Sequence, residues 1–164
     1  MEENIDISSI DLISDGNFVI DKVVCDKFDM NKTKENVAIF IREYKEAKTL
    51  CFKSLIINKV TYSFNPNKVF VSSNSKNGGF ATSVNNKIDA EEIINNTEPL
   101  LQELVKTFTN REKIYYDYCL LNNYTDEYVM YLLGNISKYI LAPIKNSCIL
   151  KFALLFDLAV MKEK

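Results

Sequence analysis

The sequence predicts a mainly α protein: a helical bundle carrying a C-terminal helix-turn-helix, with a small β-hairpin at the N-terminus. Three observations predict it. Apolar residues recur at steps of three and four from Asn31, a second helical pattern fills the chain from Asp89 onward, and the stretch Tyr124 to Phe156 places two helical segments on either side of Gly134-Asn135-Ile136. Two helices joined by a short glycine-containing turn are the minimal unit whose second helix can enter a DNA major groove.

Bulk properties set the frame. A chain of 164 residues, 47% hydrophobic and 26% charged, is long enough to bury a core as one domain with an appendage. Its net charge of −2 advertises no nucleic acid globally, so any such contact must rest on a local field. Cys25, Cys51, Cys119 and Cys148 form no C-x-x-C pair and the chain has no histidine, which argues against zinc, other metals and the usual nucleophilic triads. No cofactor and no enzymatic activity are expected. No basic-then-apolar leader opens the sequence, and the window Cys148 to Met161 is too short and too charged to span a bilayer, so a cytoplasmic protein without membrane contact is expected.

Four segments follow in order. Residues 1–27 form an extension in which Asp15-Gly16-Asn17, flanked by Ile10, Leu12 and Ile13 and by Phe18, Val19, Ile20, Val23 and Val24, fits a hairpin turn. Residues 28–57 hold a long amphipathic helix from about Lys32 to Leu55, with Val37, Phe40, Ile41, Tyr44, Lys48, Cys51 and Leu55 on one face and Asn31 or Thr33 as its cap. Residues 58–88, rich in Asn and Ser, read as a linker with one short strand at Lys68 to Val71. The Gly78-Gly79 pair lacks the G-K-S/T continuation of a phosphate loop.

Residues 89–164 form the helical domain. Asp89-Ala90-Glu91-Glu92 starts a helix with acids at its positive end, and Thr97-Glu98-Pro99 interrupts or restarts it. Thr109-x-x-Glu112 is a capping box for a helix over Asn110 to Leu121, ended by Asn122-Asn123. Thr125 caps a short helix from Asp126 to Leu133, Gly134 takes the left-handed position after it, and Ser137 is the next cap. Pro143 either kinks the second helix or marks its true start.

The runs Phe28-Asp29-Met30-Asn31-Lys32-Thr33-Lys34-Glu35-Asn36-Val37, Tyr44-Lys45-Glu46-Ala47-Lys48, Tyr62-Ser63-Phe64-Asn65-Pro66 and Arg111-Glu112-Lys113-Ile114-Tyr115 come in a recognisable order. Leu132-Leu133-Gly134-Asn135-Ile136-Ser137, Ile144-Lys145 and Lys151-Phe152-Ala153 complete it. Together they resemble the ArpU-type phage regulators of late or lytic transcription, over about residues 28–158. The resemblance implies a phage or prophage DNA-binding protein in a bacterial host cell, whose C-terminal part is similar to region four of sigma factors. Where that pattern is basic, this chain has Tyr139, Ile140, Leu141, Ala142, Pro143, Asn146 and Ser147.

Ser137, Lys138, Tyr139, Lys145 and Asn146 are the candidate DNA-binding residues, facing double-stranded DNA as a homo-oligomer, expected to be a dimer. From Ser137 to Lys164 five lysines stand against Asp157 and Glu163, a local balance of +3 that suits phosphate contact. The alternative is a protein-interaction module on the same scaffold, binding RNA polymerase, a sigma factor or itself through Ile140, Leu141, Ile144 and Phe152.

Overall fold

The computed structural model of the chain describes residues 17–63 and 79–164, with side chains over 17–53 and 89–164. Its elements are α1 (Lys22–Cys25), α2 (Met30–Ser63), α3 (Gly79–Thr107), α4 (Asn110–Tyr115), a π-helical turn (Tyr116–Leu121), α5 (Asp126–Leu132) and α6 (Lys138–Leu155). The mainly helical fold expected from periodicity is the one observed. Two units divide the chain: residues up to Ile41 together with Leu100–Lys164, and Arg42–Pro99.

In the first unit, side chains at helical spacing build the core: Val37 and Ile41 from α2, Leu101 and Leu104 from α3, and Leu141, Ile144, Cys148 and Phe152 from α6 are all buried. Phe152 is the aromatic centre, its ring 5.7 Å from Phe40, 6.4 Å from Tyr116 and 4.9 Å from Phe156. Ile149, Leu150 and Ala153 of α6 are buried alongside it, while Leu154 and Leu155 are exposed.

A buried polar cluster sits in this apolar setting. The capping box at Thr109 is formed, and it places Glu112 with no exposed surface. Its carboxylate accepts from Ser147 Oγ at 2.5 Å, from Lys151 Nζ at 2.7 Å and from the Thr109 N–H at 3.2 Å. Lys151 Nζ also donates to the Phe18 and Thr107 carbonyls, each at 2.7 Å. Ser147 Oγ accepts the Ile20 N–H at 2.7 Å. Each charge is thus matched by hydrogen bonds, the condition on which a buried ion pair is tolerated.

The same bonds show what residues 17–28 do. They are not a free appendage: beyond Phe18 and Ile20, the Asn17 side chain donates to the Lys106 carbonyl at 2.7 Å and the Phe108 carbonyl at 3.1 Å. Asp15 and Gly16 of the expected hairpin turn lie outside the described residues. Residues 22–25 of its return arm are a helical turn capped by Asp21, whose carboxylate accepts the Val23 N–H. Among the described residues the strand-like pairing is an antiparallel bridge between Phe28 and Met161, where the Asp29 N–H donates to Val160 O at 2.8 Å and the Lys162 N–H to Lys27 O at 3.0 Å.

Helix boundaries also differ from expectation. The cap of α2 is Asp29, which accepts the Lys32 N–H at 3.1 Å, whereas Thr33 is buried and accepts the Val160 N–H at 3.0 Å. Helix α2 runs on to Ser63 and α3 begins at Gly79, so the ends of the expected 58–88 linker are helical. The strand expected at Lys68 to Val71, and Gly78, lie outside the described residues. Helix α3 continues through Pro99. In the second unit Tyr44 Oη donates to Glu98 Oε1 at 3.0 Å and Lys48 Nζ lies 3.0 Å from the same oxygen, tying α2 to α3 just before that proline.

Candidate nucleic-acid interface

Local signals place the two helices of the candidate site. Thr125 caps α5, its hydroxyl accepting the Tyr128 N–H at 3.3 Å, and the acids Asp126 and Glu127 fill the first turn. Gly134 (φ +89°) and Asn135 (φ +59°) then take left-handed backbone in succession, the region open to glycine and tolerated by asparagine. An added Cβ at Gly134 would meet nothing, so backbone conformation alone demands glycine there. Ser137 is the N-cap of α6 with extended backbone, but its hydroxyl makes no capping hydrogen bond.

Helix α6 begins at Lys138, five residues before Pro143. The proline is thus interior, and the carbonyl deprived of its partner is that of Tyr139, whose residue is 90% exposed. Water can serve that carbonyl. Ser137, Lys138, Tyr139, Ile140, Ala142 and Pro143 are exposed, Asn146 is half-buried, and Leu141 and Ile144 turn into the core. Of the four apolar residues expected to form a protein-docking face, Leu141, Ile144 and Phe152 are therefore core, and Ile140 alone is exposed.

Lys145 is placed differently from the other candidates. Its ammonium is ion-paired with the Asp126 carboxylate, which joins the start of α5 to the middle of α6. Asp126 gathers more than that: the Cys119 thiol donates to Oδ1 at 3.8 Å, and burial, then the Asp126 charge, raises the Tyr115 hydroxyl pKa. Burial first and Asp126 next push the Cys119 thiol up to about 11. Asp126 was legible only as an acid suited to a helix start; its pairing across 19 residues carries no local signal. With Lys151 held by Glu112, two of the five lysines behind the +3 balance are engaged internally. Lys138 is the cation left on the outward face between Ser137 and Asn146.

Lys34 of α2 belongs to the same neighbourhood. Its pKa is lowered by burial first and by the like charge of Lys145 second, with Asp126 opposing. A depressed lysine pKa means that the unfolded chain binds the proton better, so the penalty is full at neutral pH and fades as pH rises toward the ordinary lysine value of about 10.4. Lys34→Gln is expected to raise the melting temperature at neutral pH, with the gain shrinking in alkaline buffer, as followed by circular dichroism.

A second exposed feature went unnoticed in the sequence. The rings of Tyr118, Tyr124 and Tyr128 cluster at 5.5, 5.8 and 4.7 Å, with Tyr124 and Tyr128 stacked, and Tyr131 and Leu132 are exposed further along α5. The step of four between Tyr124 and Tyr128 was the available clue.

Among the described residues these elements define a mainly helical protein, in which α5 and α6 follow one another across the left-handed turn at Gly134-Asn135. No family model, no curated protein and no solved structure matches the chain. Among the described residues no helix is long and apolar enough to cross a membrane, and no group of three or more His, Cys, Asp or Glu could hold a metal ion.

Proposed function

We propose that the chain is a DNA-binding transcriptional regulator, docking duplex DNA through α6 in the manner implied by its resemblance to ArpU-type phage regulators. The observation that carries this reading is the exposure of Ser137, Lys138, Tyr139, Ile140, Ala142 and Pro143 at the start of the second helix, beyond a capped first helix and a left-handed turn. Ser137 Oγ and Lys138 Nζ, at the N-terminal end of α6, would take phosphates, and Tyr139 and Asn146 would face the bases. Lys145 serves as the strut that orients α6, not as a contact. The reading assigns no catalysis and places the protein in the cytoplasm of a bacterial host, acting at phage promoters as a dimer.

Titration of a fluorescein-labelled duplex at low and moderate salt tests it. Setting aside Lys145 and Lys151, which are engaged internally, leaves Lys138, Lys162 and Lys164 of the five, so about two to three phosphates would be neutralised and log K should fall against log salt with a slope of about −2 to −3. Absence of binding at low salt would reject the reading.

A second reading is favoured by the exposed tyrosines of α5: protein contact with RNA polymerase, a sigma factor or a second copy on the same scaffold. It expects Tyr128→Ala with Tyr131→Ala to abolish co-elution with purified polymerase while DNA affinity is unchanged.

A further inference from the structure

The outward face of α6 has a composition that selects among base pairs. Tyr139, Pro143 and Asn146 fall at steps of four and three, in line along the helix, with Ile140 and Ala142 exposed or outward on its flanks. The two arginines of the chain, Arg42 and Arg111, lie outside α6, and Arg111 is buried. Lys138 sits in the first turn, where a phosphate is the nearer partner.

Each base pair shows a distinct pattern in the major groove. Guanine offers two acceptors suited to Arg or Lys, cytosine an amino group suited to Asp or Glu, adenine an acceptor and donor suited to Asn, and thymine an apolar methyl. Helix α6 carries neither an arginine nor an acid, and Asp126 at the start of α5 is held by Lys145. Ile140, Ala142 and Pro143 offer apolar surface, and Asn146 the adenine-type donor and acceptor.

Resting on the DNA-binding reading above, we propose that this face is a specificity surface for A·T pairs, read chiefly through the thymine C5-methyl groups. G·C pairs are rejected because their polar edges would be desolvated against apolar side chains and left without partners.

The test uses the full chain and three labelled duplexes of equal length: an A·T-rich one, the same sequence with deoxyuridine in place of thymine, and a G·C-rich one. Deoxyuridine removes only the methyl. The A·T duplex should bind at least about tenfold tighter than the G·C duplex. The uracil exchange should weaken binding about fourfold for each methyl in contact, as expected for one buried carbon. Ile140→Ala, a truncation at an exposed position, should shrink the thymine-to-uracil ratio and leave the salt dependence intact. Equal affinity for the thymine and uracil duplexes, or a preference for G·C, would overturn the proposal while DNA binding itself stood. Binding to none of the three at low salt would overturn both it and the DNA-binding reading.

Discussion

Glu112→Ala is expected to lower the free energy of unfolding by about 3–5 kcal/mol, because it leaves the Lys151 ammonium buried without its counter-charge. Lys151 is 10% exposed at its side chain and Glu112 not at all, so water cannot replace the lost carboxylate without opening the unit. The effect spreads through three segments. Ser147 Oγ loses its acceptor, the Thr109 N–H loses its cap, and the Lys151 ammonium is left with neutral partners, the Phe18 and Thr107 carbonyls and the Phe18 ring. Pairing Glu112→Leu with Lys151→Met should be less damaging than Glu112→Ala alone, since neither variant side chain is charged. Urea denaturation followed by circular dichroism measures both. A loss under about 1 kcal/mol for Glu112→Ala would mean that the pair is hydrated.

The second large effect is at Phe152. Phe152→Ala should cost about 3–5 kcal/mol, since it removes a ring that is 1% exposed and touches Phe40 of α2, Tyr116 of the π-helical turn and Phe156 after α6. Three segments from distant parts of the chain meet on this one side chain, so the void could not be filled by a local shift. Leu154→Ala is the matching control two residues on. At 48% exposure it should change stability by about 0.5 kcal/mol or less.

What was legible in the sequence was local. Thr109 and Glu112 lie three residues apart and Thr125 stands just before the helix it caps, so caps and helix starts could be read from spacing. Gly134 marked its turn because only glycine enters that backbone region without strain. Composition misled over 58–88: asparagine and serine are weak helix formers, but propensity is a modest preference that context overrides at both ends of that segment. Pairings across long separations were not visible at all. Asp126 with Lys145, Glu112 with Ser147 and Lys151, and Phe28 with Met161 bring together residues with no shared periodicity. At the candidate site, five residues were named from position in the second helix, and the structure separates them by environment. Ser137, Lys138 and Tyr139 are exposed, Asn146 is half-buried, and Lys145 is held by a carboxylate whose role no local pattern revealed.

Amide chemical-shift mapping of the isotope-labelled chain, titrated with a short A·T-rich duplex, tests the proposed use of α6 most directly. The largest shifts are expected on Ser137 to Asn146, collapsing together when salt is raised. Shifts confined to Tyr124 to Leu132, or none at low salt, would contradict it.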